Sequence, residues 1–443
     1  MKNGEFTGGI DFAPSLLKMK ETFQLAPVLY HYEPAEVAIP FDQHIGAPNQ
    51  VQVVVGDYVR AGEIIAMTEE AVSGYVHASI TGTVTAIREV PNLAGGYQKA
   101  VVIQRDLKAD PDEVQLLRKE ASFAELVREA GVVGLGGATF PTHIKLAPED
   151  HVNVEYIVLN GAECEPFIHS DDYLIQMEAV KIVRGGEIAR EMLGAKTLII
   201  AIEEDKPDAV KMMEAAIAGV PDCEVKVLPV RYPQGGEKQL LETLIGAESP
   251  IGGRTIETGG YNMNVATSKA MAEAVDERRP LIRRYVTVTG DVVNPRVIDF
   301  PLGTYAGELI AFCGGFETRG GPPVQILHGG PMMGRTLHQL QTPLTKGSNG
   351  LIVFNQNHLQ QSAEKPCIRC NRCVVSCPIR LEPQNIDQAM RAGELTRCAQ
   401  LKAEECINCG CCSYVCPSKR RLAPTIMQAR GAIGKLRREA QGR

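Results

Sequence analysis

The sequence has no apolar run approaching the about 18 residues needed to span a bilayer, so no part of it is expected to cross a membrane as a helix. It has no excess of base. Lys and Arg number 46 against 53 Asp and Glu, a net charge of −7, which argues against a general nucleic-acid binder. The opening residues MKNGEFTGGIDF hold two acids and no apolar stretch, so no signal peptide is expected. The expected location is the cytoplasm, at a membrane only where a partner holds the chain there. Tryptophan is absent, which excludes nothing. Hydrophobic residues at 44% and charged residues at 22% are ordinary for a globular protein, and 443 residues leave room for roughly three or more domains.

What is abundant is cysteine. Of 13 Cys, ten lie between 367 and 416. Such density in a chain with no secretory signal argues against disulfides and for metal. Cys367, Cys370, Cys373 and Cys377 follow the spacing C-x2-C-x2-C-x3-C-P, and Cys406, Cys409, Cys412 and Cys416 repeat it 39 residues on. Three thiolates on one tight loop reach three corners of a cubane. The fourth leaves on a new segment and, in two-cluster ferredoxins, ligates the other cluster. The expected sets are therefore Cys367, Cys370, Cys373 and Cys416 for one [4Fe–4S] cluster, and Cys406, Cys409, Cys412 and Cys377 for the second. Zinc ribbons would want two well-separated pairs without a third Cys on each loop. Cys398 and Cys411 are expected to be spare buried thiols.

Elsewhere the chain divides by pattern. Residues 1–30 are expected to form an arm lying on another domain. Residues 31–105 carry short alternating strands punctuated by Gly56, Gly62, Gly74 and Gly82, as in a lipoyl-like barrel sandwich, but the tip at 68–74 has no Lys to modify. Residues 112–280 alternate helix and strand, with helices expected over 111–131, 176–194 and 207–219 and strands over 156–160, 197–203 and 223–230, implying a mostly parallel sheet. Residues 284–355 return to short strands with one helix, resembling a β-grasp module of the SLBB type. Residues 365–425 form the cysteine domain, and 426–443 a basic tail, read either as a helix that docks on an acidic partner or as a solvated end.

Within 112–280, Gly134, Gly136, Gly137 and Ala138 form a glycine run that follows a helix and leads into Phe140-Pro141. It therefore fails the context of a Rossmann fingerprint, yet bare glycine amides can cradle a phosphate, with Lys145 near as a counter-charge. LNGAECEPFIHSD (159–171) sets Asn160, Glu163 and Glu165 just past a strand, where ligands gather in open α/β sheets. Glu163 and Glu165 also read as helix-capping or solvated acids. YPQGGEKQL supplies Gly235, Gly236 and Glu237, and GGYNMNVATSKAM supplies Asn264 and Thr267 before a helix.

These four segments resemble the flavin- and NADH-binding 51-kDa subunit family of respiratory complex I, with its GxGGAGFPTxxK loop and its N-A-D-E-S-E-P, Y-x-x-G-E-E and N-N-V-E-T segments. With the sandwich, the SLBB stretch and the paired cysteine motifs, residues 30–425 resemble the C-subunit family of Rnf-type ferredoxin:NAD+ oxidoreductases. The resemblance implies a multidomain α/β and α+β architecture: barrel-sandwich domain, Rossmann-like FMN domain, SLBB β-grasp domain and two-cluster ferredoxin-like α domain. It implies FMN held by Gly134, Gly136, Gly137, Ala138, Lys145 and Asn160, with Phe140, Glu163, Glu165, Gly235, Gly236, Glu237, Asn264 and Thr267 around FMN and NAD(H). No side-chain acid or base is assigned, because hydride transfer needs none. The chain would sit peripherally on the cytoplasmic face, exchanging electrons with iron–sulfur and membrane subunits that move Na+ or H+, and with ferredoxin through a partner. The chain departs from the complex I pattern at Leu135, Thr139, Ala162, Gly236 and Met263, which thins the donors and acids around NADH. Two alternatives remain open at this stage: a soluble cobalamin reductase-type flavoprotein, and a flavin-less electron-relay scaffold.

Overall fold

The computed structural model describes residues 6–12, 28–147, 152–357 and 363–440. The sandwich pairs a sheet of Glu36–Pro40, Tyr97–Arg105, Gly82–Pro91 and Tyr58–Val59 with a small sheet of Gln50–Val51, Ile64–Met67 and Val76–His77. Alternating residues such as Val37, Ile39, Val101 and Ile103 fill its core. The tip that lacks a Lys docks inward: Arg128 donates to the Glu69 carbonyl at 3.0 Å.

The central sheet is parallel throughout, in the spatial order Cys223–Leu228, Thr197–Glu203, Tyr156–Gly161, Gly260–Asn264. The chain starts in the middle, builds two strands to one side, then crosses back to add Gly260–Asn264 on the other. Strand order therefore reverses between Tyr156–Gly161 and Gly260–Asn264, and the carboxyl ends of these two strands are where open α/β sheets place a ligand crevice. The helix Ser170–Leu193 lies against Val265–Val275 so closely that a Cβ at Gly185 would stand 1.8 Å from the Ser268 carbonyl oxygen.

The expected helix over 111–131 is corrected to Phe123–Glu129. A capping box starts it, Ser122 accepting from the Glu125 amide and Glu125 from the Ser122 amide. The residues before it bond outward instead, Gln115 to the Ala61 carbonyl and Leu117 to that of Arg278.

The third sheet is mixed, and the hairpin Arg283–Gly290 with Arg296–Pro301 lies at its heart. Leu29–His31, expected partly in the arm and partly in the sandwich, instead adds parallel to Arg296–Pro301 as an edge strand. His31 Nδ1 lies 3.0 Å from Asp299 there.

Short helices make up the cysteine domain. Its core includes Ile386, Cys398, Leu422, Ile426, Ala429 and Ile433. The basic tail is corrected: the helix Leu422–Ala440 runs straight through 425/426 and buries Ile426, Ala429 and Ile433 along one face. Of the arm, residues 6–12 lie between two domains. Ile10 exchanges backbone hydrogen bonds with Tyr232 at 2.8 and 3.0 Å, and the Gly9 amide donates to the Ser376 carbonyl at 3.0 Å. The rest of the expected arm, apart from 28–30, lies outside the described residues. Among the described residues no helix is long and apolar enough to cross a membrane.

Candidate functional site

Asn160 and Asn264 are register partners at the ends of the two strands that flank the switch point. The loops that follow them, with the glycine loop, surround the crevice. Asn160 Nδ2 donates to the Gly235 carbonyl at 2.8 Å, fixing the Gly235-Gly236 loop, and its Oδ1 accepts from the Ala162 amide at 3.1 Å. Lys145 ends the short helix Thr142–Lys145 and reaches Glu237 at 3.4 Å and the Asn262 carbonyl at 3.2 Å. Glu237 also accepts from Thr255 Oγ1 at 2.6 Å. Lys145 thus ties the glycine-loop segment to two walls of the crevice.

The glycine loop is a closed turn. The Gly134 amide donates to the Phe140 carbonyl at 2.8 Å, and the Thr139 amide donates to the Gly134 carbonyl at 2.9 Å. Gly136, Gly137 and Ala138 form its exposed crest. Gly137 has φ +107, where L side chains are strained, and a Cβ at Gly136 would lie 3.4 Å from Asn264. Thr139 holds φ 50, left-handed for a β-branched residue. This crest of small residues beside a lysine fits a phosphate-bearing ligand.

Four expected ligand residues have other work. Thr267 Oγ1 accepts from the Leu135 amide at 2.9 Å, so it holds the loop from below. Asn264 caps the helix Val265–Val275 and donates to Asp171 at 2.7 Å. Glu163 is corrected from a crevice acid to a buried cap: it accepts from Ser170 Oγ at 3.1 Å and from the Asp171 amide at 2.9 Å, at the start of the helix Ser170–Leu193. His169, the N-cap, makes no capping bond itself. Burial, with Asp171 beside it, pushes the Glu163 carboxyl up to about 8. Glu165 likewise has backbone partners, accepting from the amides of Met332 and Met333 at 3.0 and 2.8 Å.

Two residues under the loop were not found from sequence. Arg284 is buried, donates to the Leu135 carbonyl at 3.1 Å and faces Asp171; burial lowers it to about 10, so it stays charged at neutral pH. Lys346 is buried and donates to the carbonyls of Tyr75 and Gly131, each at 2.7 Å, joining three domains at the root of the loop. Burial lowers it to about 7. No local pattern marks either; a lone basic residue in a strand or loop reads as surface.

The cysteines resolve into two cavities. One is lined by Cys367, Cys370, Cys373 and Cys416, the other by Cys377, Cys406, Cys409 and Cys412, with Cys411 beside them. Each thus gathers three thiols of one loop and the fourth of the other. The loops share their turn chemistry. Arg369, Asn371 and Arg380 take positive φ, and so do Asn408, Gly410 and Lys419, each 39 residues later. The Arg369 amide points at Cys367 Sγ and the Asn408 amide at Cys406 Sγ, both at 3.4 Å. Burial raises the thiol of Cys406 to about 11 and those of Cys373, Cys377 and Cys412 upward too. Four buried thiols without a balancing cation resist ionisation, and a bound metal removes that penalty. Both donor sets fit a cubane cluster. Cys398 is fully buried against the Ile386 carbonyl, outside both cavities.

Crevice and second cavity adjoin. Tyr232 opens the Gly235-Gly236 loop and donates its hydroxyl to the Cys409 carbonyl at 2.8 Å. Cys164 accepts from the Gly235 amide at 3.4 Å and packs in one apolar cluster with Tyr232, Cys409, Cys411, Ile10 and Phe12.

Residues 4–108 match the RnfC barrel sandwich hybrid domain, 127–273 the Nuo51 FMN-binding domain, and 285–336 the SLBB domain. The C-subunit of the proton-translocating ferredoxin:NAD(+) oxidoreductase complex of Clostridium ljungdahlii is 40% identical over 367 residues, covering 81% of this chain and 78% of that one. The C-subunit of the Na(+)-translocating complex of Acetobacterium woodii is 37% identical over 446 residues, covering 99% of both. Among solved structures, an air-oxidized NAD+-reducing [NiFe]-hydrogenase is similar at 20% identity and a TM-score of 0.49, over 69% of this chain and 60% of that one.

Proposed function

The chain belongs to the C-subunit family of ion-translocating ferredoxin:NAD+ oxidoreductase complexes, and from that premise we propose that it is the NAD(H)-handling arm of such a complex, with one FMN and two [4Fe–4S] clusters. Bound there, FMN would supply the conversion between two-electron and one-electron chemistry, and the clusters would supply one-electron relay. The residues supply position and electrostatics. The crest amides of Gly136, Gly137 and Ala138 and the Lys145 ammonium would meet the phosphate; Asn160 would hold the Gly235-Gly236 wall against the ring; Arg284, Thr267 and Lys346 keep the loop from shifting. None of them needs to move a proton during hydride transfer. Gly236, where the complex I family has an acid, leaves nicotinamide orientation to Glu237 and to Phe140.

The observation that carries this reading is Tyr232, which belongs at once to the crevice wall and to the shell of the second cysteine cavity. Electrons passing from a flavin in the crevice to a cluster in that cavity would cross this apolar contact. Membrane subunits would then spend the redox energy on Na+ or H+, with this chain held at the cytoplasmic face through them. The test is an anaerobic NADH titration of the FMN-loaded, cluster-reconstituted chain, followed by visible absorbance. Bleaching of both flavin and clusters is expected. Bleaching of flavin alone would sink the relay, and no bleaching at all would sink NADH as the donor.

A further inference from the structure

The two cysteine loops are internal copies, so the surroundings of one are a guide to what the other lacks. In the second loop, Ile407 and Cys411 are covered: they pack with Ile10, Phe12, Tyr232 and Met332, and Cys411 is fully buried. Their counterparts 39 residues earlier are Ile368 and Arg372. Ile368 is 66% exposed and Arg372 is exposed. Val375, the counterpart of Tyr414 against which Phe12 packs at 5.6 Å, is 77% exposed. Cys367 and Cys370 themselves meet solvent, whereas all four thiols of the second set are buried. Beside this face lies a wide cleft lined by Ile10, Asp11, Cys370, Arg372, Tyr414 and Lys419. Bare apolar side chains around an exposed redox-ligand loop mark a surface that something covers.

Charge says what covers it. Among the described residues Arg369, Arg372 and Lys419 have no ion-pair partner, while Arg380, Arg391 and Arg420 nearby are each paired to a carboxylate. Glu364, the nearest acid on the loop's flank, is engaged by Arg391 and the Arg421 amide, which leaves Asp11 as the acid of the cleft. A net-negative chain thus presents unpaired cations where its thiols are exposed. The chain's own residues 13–27 share the sign of the patch, with Lys18 and Lys20 against Glu21, and so complement it poorly.

We propose that the face formed by Ile368, Arg372, Val375 and Lys419 around Cys367 and Cys370 is the docking surface for an acidic protein with its own one-electron centre. The proposal rests on the reading that the first cavity holds a cluster. In each encounter one electron crosses: the reduced centre is oxidised by one unit, the oxidised centre is reduced by one unit, and no proton moves. The two electrons of one NADH leave in two encounters.

The experiment uses the full chain with FMN and clusters loaded, under anaerobic conditions, and an acidic bacterial ferredoxin as the probe. Its Kd is measured by calorimetry at low and moderate salt. Expected is binding that weakens with salt, and that weakens about tenfold in Arg372→Glu/Lys419→Glu and in Val375→Asp. Lys435→Glu/Arg438→Glu on the terminal helix should leave it unchanged. If iron content shows that a substitution inside the cysteine run loses its cluster, Lys419→Glu alone, beyond Cys416-Pro417, is the deciding variant. Absence of binding, equal loss in the terminal-helix variant, self-association of the chain through this face, or binding only after removal of 13–27 would each overturn the proposal. NADH bleaching is read separately. If it fails while the mutational pattern of binding holds, the surface stands and the functional reading falls; if bleaching proceeds and binding ignores these substitutions, the reverse is true.

Discussion

The loops 367–377 and 406–416 have the same cysteine spacing, the same left-handed positions and the same amide-to-sulfur contact, yet one is exposed and the other sealed. Local sequence builds the cage; the remainder of the chain decides what surrounds it. Around the second loop, residues from distant parts of the chain converge: Ile10 and Phe12 from the arm, Tyr232 from the flavin domain and Met332 from the SLBB region. Around the exposed face of the first, no comparable apolar cover is present among the described residues. The same arrangement of thiols thus lies in unlike surroundings, one set inner and one set outer.

The sharpest way to break the comparison is to exchange the crossing ligands. Cys377→Ser should cost the cluster of the second loop and spare that of the first; Cys416→Ser should do the opposite. Each variant should lose about half its iron after reconstitution, and only Cys377→Ser should also stop NADH from reducing the remaining cluster. Loss of the cluster on the same loop as the mutated Cys would refute crossed ligation.

Among the described residues Tyr232 has no equivalent at the first loop, so Tyr232→Phe should act on the sealed side alone. Leaving the Cys409 carbonyl unsatisfied should destabilise the chain by about 1–3 kcal/mol in urea unfolding and slow cluster bleaching without slowing flavin bleaching. No change in either would remove Tyr232 from the route.

The buried cap of the helix Ser170–Leu193 should also respond to protons. The Glu163 carboxyl is raised from its ordinary value of 4.5 to about 8, so the folded state holds a proton that the unfolded state releases. Its contribution is complete below the unfolded value and is lost as pH rises toward 8, with a slope of at most about 1.4 kcal/mol per pH unit. Glu163→Gln should flatten that part of the stability-versus-pH curve; an unchanged curve would assign the slope elsewhere.

The smallest expected difference is between the clusters themselves. Solvent and the unpaired Arg372 and Lys419 favour the more negative, reduced state at the first loop, so its potential should lie higher by on the order of tens of millivolts. Spectroscopic redox titration of the Cys377→Ser and Cys416→Ser variants, each with one cluster, reads the two values directly. The reverse order would place the electron sink at the flavin end.

Local signals were legible and distant ones were not. The cysteine sets follow from spacing because three thiols on one tight loop are a local fact. The strands 156–161 and 197–203 follow from short apolar runs, and Asn160 from its place at a strand end. Glu163 and Glu165 look alike in E-C-E, but which amides they meet depends on a helix start at Ser170 and on a loop 167 residues further on at Met332. Arg284 and Lys346 acquire their roles only from carbonyls in other domains. The helix Leu422–Ala440 reads as a tail because its arginines are conspicuous and its buried Ile426, Ala429 and Ile433 are not.

The arm has a consequence for biosynthesis. Residues 6–12 leave the ribosome before the rest of the described chain, but their places, against Tyr232, Ser376 and Tyr414, come into being only when nearly all of it has been made. A Cβ at Gly8 would stand 2.6 Å from the Cys377 carbonyl oxygen, so this strap lies directly over the backbone of one of the second cavity's cysteines. If the second cavity holds a cluster, its iron and sulfide have to reach the thiols past this strap or before it is in place. A segment near the start of the described chain thereby finds its place only through residues made much later.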